Sequence, residues 1–231
     1  MMAQLEPLYD KDYTCHLCGH TFSSKKVRSR FVKIISFDTD FAPSYASTSE
    51  NPNVYFVHVC PKCGFSFTDE FSSYFPPGTK EDLDKKVSSQ WIPHEFSGER
   101  SIEDAVKTYK LGSYCSVLKK EKHIVTAGLY IRTAWLYRSQ KNMEQESRFL
   151  KLALHEYIES YSTGDYKGTQ VSEDRLMYLI GELSRRTGNS QDAVRFFSKV
   201  IERQKQSFEP NITQMAKDRW QEMRAYQQQD N

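Results

Sequence analysis

No stretch of the chain approaches 18 uninterrupted apolar residues, so no segment is expected to cross a bilayer as a helix. Met1 to Tyr13 is polar and acidic, without a signal-peptide core, which points to a cytoplasmic protein. Charge of one sign is equally scarce. Lys and Arg number 32 against 30 Asp and Glu, a formal net charge of +2. Residues 1–80 are balanced, with eight of each sign. Such a balance argues against a domain built to neutralise many phosphates. The sequence also has no Gly-rich phosphate loop, no H-E-x-x-H and no G-x-S-x-G. A non-enzymatic protein is therefore expected.

Cysteine is rare, but its distribution is informative. Of five cysteines, four lie in Cys15-His16-Leu17-Cys18-Gly19 and Cys60-Pro61-Lys62-Cys63-Gly64, two copies of C-x-x-C-G with 41 residues between Cys18 and Cys60. In a reducing compartment, paired thiols more often hold metal than form disulfides. A two-residue gap lets both sulfurs of one turn point at a single ion. The following glycine can take positive φ, so that backbone N–H groups fold toward sulfur. Two such turns predict a closed tetrahedral Cys₄ site for structural Zn²⁺, with iron as the other metal the donor set allows. Its four filled positions leave no place for a reactive water. His16, His20 and His58 stand beside the cysteines as replacement ligands that a complete thiolate set does not need. A redox C-x-x-C would open a helix in a βαβ setting, whereas strand-like residues flank both pairs.

Val27 to Phe37 and Asn53 to Val59 are rich in β-branched and aromatic residues. Both read as strands of an antiparallel zinc ribbon, with Asp38 to Asn53 as a long excursion away from the metal. Lys25, Lys26, Arg28, Arg30 and Lys33 crowd into nine residues. They form either a charged strand face that guards an open edge or a contact for phosphates. The nucleic-acid alternative rests on Lys25, Lys26, Arg28 and Arg30, with Phe22 or Phe31 as stacking platforms.

Pro76, Pro77, Gly78, Pro93 and Gly98 fall between Tyr74 and Gly98. That stretch reads as a connector with one short helix between Thr79 and a docking Trp91. Beyond it the period becomes helical. Ser101 with Asp104 resembles a capping box, and Ala105, Tyr109, Gly112, Val117 and Leu118 follow at helical intervals. Between Asp174 and Gln204, residues Met177, Ile180, Gly181, Gly188, Ala193, Phe197 and Val200 follow the tetratricopeptide spacing, with Phe197 expected to fill the gap opposite the small residues. Gly188 with Asn189 should stop one helix and cap the next. A weaker copy occupies Ile124 to Tyr157. A last helix from Pro210, with Ile212, Ala216, Trp220 and Met223 on one stripe, should cap the stack.

The expected fold class is thus α+β. A small antiparallel Cys₄ zinc ribbon (1–75) and a connector (76–100) precede a mostly α, tetratricopeptide-like domain (101–231). Such helical pairs form grooves that other proteins fill with short segments. Arg138, Arg175, Tyr178 and Arg185 are placed to line the groove and to receive an acidic segment of an unidentified protein partner. The fifth cysteine, Cys115, sits among Tyr114, Val117 and Leu118 and reads as a core thiol. It would have a catalytic partner in His123 only if its helix continued that far.

The CHLCG knuckle, the stretch VYFVHVCPKCGFSF and the helix AGLYIRTAWLYR together resemble one bacterial family, domain of unknown function 2225, over nearly the whole chain. The resemblance implies a metal-binding cytosolic protein without an assigned reaction, and it supplies no catalytic residues.

Overall fold

The computed structural model describes residues 5–229. Three two-stranded antiparallel ribbons come first: β1 (Leu8–Thr14) with β2 (Thr21–Val27), β3 (Ile34–Phe37) with β4 (Pro43–Tyr45), and β5 (His58–Val59) with β6 (Ser66–Phe67). Seven helices follow: α1 (Thr79–Lys86), α2 (Ile102–Lys119), α3 (His123–Ser139), α4 (Met143–Thr163), α5 (Glu173–Arg186), α6 (Ser190–Glu202) and α7 (Pro210–Gln229). The chain is α+β, with its strands near the N-terminus and its helices after them. Among the described residues, no helix is long and apolar enough to cross a membrane.

Two stretches read as strands are shorter than expected. Val27–Phe37 is broken by a 3₁₀ turn at Ser29–Phe31. The ladder pairs Leu8 with Val27, and Arg28 N–H still donates to Pro7 O. Pro7 has no N–H to return, so the pairing stops there. Asn53–Val59 keeps only His58–Val59 as strand, because the Asn51 side chain accepts from Asn53 N–H at 3.0 Å and closes a 3₁₀ turn over Pro52–Tyr55.

The contacts divide the chain into two compact units that differ from the linear division at 75 and 100. The first holds residues up to Asp38, Ala42–Glu121 and Trp135–Ser139, so it takes in the connector and α2 with the ribbons. Phe65, Phe67, Phe71, Leu83, Tyr109 and Cys115 are buried in it. Ser101 Oγ caps α2 by accepting from Asp104 N–H at 3.1 Å. Lys119 and Glu121, both nearly inaccessible, pair with each other, and Lys119 Nζ also donates to the carbonyls of Ser72 and Tyr74. A buried ammonium is tolerated only when its donors are used in this way.

The second unit holds Thr39–Phe41, Lys122–Ala134 and the chain from Gln140. Here α5 and α6 are joined by the turn at Gly188, whose φ is 87°, and the Asn189 side chain caps α6 by accepting from Asp192 N–H. Gly181 meets Phe197 across this pair: a Cβ built on Gly181 would stand 2.8 Å from the ring. Met177, Ile180, Leu183, Ala193 and Val200 complete that core. The three residues Thr39–Phe41, although they form the turn between β3 and β4, pack with α5. Tyr178 Oη donates to Thr39 O at 2.8 Å, Arg186 donates to Thr39 Oγ1 at 2.7 Å, and the Arg175 guanidinium lies 4.2 Å over the Phe41 ring.

Candidate metal centre

Each cysteine pair sits in the turn of one ribbon, and the two turns are built alike. In the first, Cys15 N–H donates to His20 O at 2.9 Å and Gly19 N–H to Cys15 O at 2.9 Å. In the second, Cys60 N–H donates to Phe65 O at 3.0 Å and Gly64 N–H to Cys60 O at 2.9 Å. Gly19 and Gly64 have φ of 71° and 72°, a region that any Cβ makes costly. The glycine requirement read from the motif is therefore met in both copies.

The turns bring four sulfurs together, with the Sγ atoms of Cys15, Cys18, Cys60 and Cys63 all within 4.8 Å of one another. Cys15 and Cys63 are 3.6 Å apart, and Cys18 and Cys60 are 3.7 Å apart. A disulfide needs about 2.05 Å. Four metal–sulfur bonds of about 2.3 Å in a tetrahedron put their sulfurs about 3.8 Å apart. The spacing excludes the first arrangement and suits the second. Cys15, Cys60 and Cys63 are buried, and Cys18 is exposed.

The protons of the cluster point the same way. Cys60 is pulled down to about 2 by the hydrogen bonds it accepts from Cys15 and then Cys63. Cys15 is pushed up to about 12, chiefly by its hydrogen bond to Cys60, and Cys63 is pushed far up by Cys15 and Cys60. One thiolate forms readily and the next are resisted by its charge. A divalent cation removes that conflict, because it supplies the positive charge against which four thiolates can coexist. The four cysteines thus form a set that could hold a metal ion.

The histidines stay outside it. His58 stacks on Tyr13 with ring centroids 3.8 Å apart, and its Nε2 lies 3.4 Å from Asp69 Oδ1. Burial depresses its pKa to about 4, against the opposing pull of Asp69. The His16 ring tilts on Phe67.

Sequence reasoning missed a residue that ties the two cysteine-bearing ribbons together. Arg100, in the connector, donates from Nη2 to Ser24 Oγ of β2 at 3.1 Å. It also donates from Nη1 to Val57 O just before β5, and from Nε to Phe96 O, both at 2.7 Å. One guanidinium therefore spans from the first ribbon to the approach of the second, which suits its fixed fork of donors. Burial lowers its pKa only to about 10, so it stays charged at neutral pH. No spacing rule marks an isolated arginine; the only available signal was its place at the end of the connector, two residues after Gly98. Trp91 fulfils its expected docking role by donating from Nε1 to Pro61 O at 2.9 Å, inside the second turn.

The family model for domain of unknown function 2225, described as an uncharacterized protein conserved in bacteria, matches residues 8–223. The chain belongs to this family. No curated protein and no solved structure matches it. In this family member, the span covered by the match includes both cysteine turns and all seven helices up to residue 223 of α7.

The remaining candidate residues lie elsewhere. Arg175, Tyr178 and Arg185 are on α5, and Arg138 is near the end of α3. Arg138 pairs with Asp38 at 2.8 Å, while Tyr178 and Arg175 meet Thr39 and Phe41. Arg185 makes two hydrogen bonds to the fully buried Glu182. Three of the four residues proposed to receive an acidic segment thus hold Asp38–Phe41 of the same chain. Of the basic run, Lys25 pairs with Asp10 at 2.9 Å, Lys26 lies 3.7 Å from Asp69, and Arg28 donates to Glu6 O. Arg28 and Arg30 do not share a strand face, since Arg30 sits in the 3₁₀ turn with its guanidinium over Phe31. Cys115 is fully buried, but its neighbours Tyr114 and Val117 point outward. Its Sγ accepts from Ser66 N–H at 3.4 Å, and burial pushes the thiol up to about 12. α2 stops at Lys119, with Lys120 at φ 57°, so the helix does not continue to His123.

Proposed function

We propose that the four cysteines hold one structural Zn²⁺ and that the protein is a non-enzymatic interaction protein, binding an acidic segment of a protein partner through its tetratricopeptide-like helices. The sulfur spacing carries the first part, because 3.6 and 3.7 Å are the edges of a zinc–thiolate tetrahedron and four sulfurs fill it. Zinc is chosen because a closed Cys₄ set in two short turns is the usual structural zinc site; iron accepts the same tetrahedron, so metal analysis separates the two. Purified under reduction, the protein should carry one zinc per chain, and X-ray absorption should show four sulfurs as its neighbours. Stoichiometric iron or no metal would sink that assignment.

The second part is supported by the chemistry of the α5 face. It already accommodates an acidic segment with an aromatic residue: Arg186 lies 3.9 Å from Asp40, Arg175 covers Phe41, and Tyr178 holds the Thr39 carbonyl just before them. A partner segment with alternating carboxylate and aromatic side chains would find the same donors. The buried, high-pKa Cys115 supports the absence of a thiol reaction. The ion-paired Lys25 and Lys26 favour the protein-binding reading over the nucleic-acid one. To test it, Phe41→Gly loosens the intramolecular segment without straining a backbone at φ 65°. A labelled peptide copying Ser36–Ala42 should then bind saturably by fluorescence anisotropy, and adding Arg175→Glu should weaken it at least about tenfold. Absence of saturable binding by the Phe41→Gly protein, with metal and helicity intact, overturns the reading.

A further inference from the structure

The three ribbons are not treated alike by the rest of the molecule. Tyr13, Phe22 and Val27 of the first, and every residue of β5 and β6, are buried. All four residues of β3 are exposed. Ile34 is 44%, Ile35 71% and Phe37 61% accessible, which makes β3 the most apolar uncovered strand among the described residues. Its one strand partner is the three-residue β4, which begins with Pro43. The pairing is irregular between Ile34 and Ser36, so Ile35 has no cross-strand partner. Natural proteins usually cover or charge such an edge.

The ends of the strand suggest what covers it. Read from Lys33 to Asp38, the segment is Lys-Ile-Ile-Ser-Phe-Asp, basic at one end, apolar through the middle and acidic at the other. Such an order is complementary to itself when reversed. A two-fold axis between Ile35 and Ser36 sets Lys33 of one copy opposite Asp38 of the other, Ile34 opposite Phe37, and Ile35 opposite Ser36, one step along from its own counterpart. Isologous contacts need this self-complementarity. Asp38 can take part because its side chain remains 40% accessible while it accepts from Arg138, and a carboxylate has lone pairs for further donors. Lys33 is exposed.

We infer that β3 is a homodimerisation strand, and that a second copy of this chain packs antiparallel against Lys33–Asp38 through Ile34, Ile35 and Phe37. Three apolar side chains per copy are a small patch beside the roughly 800 Å² per partner of a standard interface. The dimer is therefore weak and concentration-dependent. The Lys33–Asp38 pairs lie at its solvent-exposed ends, so raised salt loosens it.

The test is sedimentation velocity on the full, metal-loaded chain over a concentration series. The expected result is a monomer–dimer equilibrium that Ile35→Lys abolishes and Lys33→Glu weakens at least about tenfold. Because Ile35 is exposed, Ile35→Lys should keep native metal content and circular dichroism. Independently, Ile35→Cys should form a covalent dimer on mild oxidation, whereas Tyr114→Cys on the exposed side of α2 should not. A chain that stays monomeric at its solubility limit overturns the inference. So does a dimer indifferent to Ile35→Lys, or one in which Tyr114→Cys cross-links as fast as Ile35→Cys.

Discussion

The two cysteine turns are copies in backbone and opposites in surroundings. Their hydrogen bonds agree to 0.1 Å and their glycine φ values to 1°. Yet Cys18 and Gly19 are exposed, with nothing within 4 Å of a Cβ added to Gly19. Gly64 is buried under Trp91, and an added Cβ would stand 2.5 Å from the indole. The shared motif therefore specifies the turn, and the rest of the chain decides how firmly each turn is held. The second turn is part of the core, while the first stands out from it and its ribbon is held further back, by the Tyr13–His58 stack and by Arg100 at Ser24.

Ligand removal should give the largest effect. Cys60→Ser places a poorer donor at a fully buried position. It should abolish stoichiometric metal and cost roughly 5 kcal/mol or more of the stability that structural zinc lends small domains. Cys18→Ser, at an exposed position, should retain metal that a chelator strips at lower concentration than from the parent. Metal analysis with chelator titration checks both. Equal losses would mean that burial does not distinguish the turns. Next come the glycines. Gly64→Ala combines a positive-φ penalty with displacement of Trp91, about 3 to 4 kcal/mol together. Gly19→Ala carries only the φ penalty, about 1 to 2 kcal/mol. Denaturant unfolding of the metal-loaded proteins measures the gap.

How much of this was legible beforehand follows from what each feature depends on. The cysteine cluster, the trailing glycines and the Gly188–Asn189 helix break are local, and spacing alone revealed them. The α5 face was half legible. The repeat pattern named Arg175 and Tyr178, but only the structure shows that the turn after β3 supplies the segment they hold. Contacts between residues some 140 positions apart leave no periodic trace. Glu182 shows the same limit. It is a carboxylate in a helical stripe, yet it is fully buried. Burial alone would raise its pKa, but hydrogen bonds from Arg185 and Thr39 and the charge of Arg185 more than offset it, and the pKa is lowered. Its contribution to stability is accordingly present above the ordinary value of 4.5 and is lost as pH falls through the folded value.

Arg100 belongs among the features that no pattern predicts, and its removal ranks below the glycine at the second turn. Arg100→Met keeps the stem but withdraws the donors from Ser24, Val57 and Phe96. Buried carbonyls left without a partner make this a change of about 3 kcal/mol. Since the guanidinium ties β2 to the residue just before β5, metal bound by the proposed centre should also leave faster from the variant, as stopped-flow chelation would show. A stability loss with an unchanged metal off-rate would separate the fold around the centre from the centre itself.

Trp91→Phe should be the smallest change and the sharpest probe of the second turn. Phe keeps an aromatic ring near Gly64 but cannot donate to Pro61 O, so one hydrogen bond of 2.9 Å is lost, about 1 kcal/mol. The indole atoms that an added Cβ at Gly64 would meet are Cδ2, Cε3 and Cγ, and the smaller ring gives up part of that crowding. In a double-mutant cycle, Trp91→Phe should therefore reduce the cost of Gly64→Ala by about 1 kcal/mol and leave the cost of Gly19→Ala unchanged. Strict additivity at Gly64 would mean that the indole moves aside freely. In that case burial under Trp91 could not be what distinguishes two turns of identical backbone.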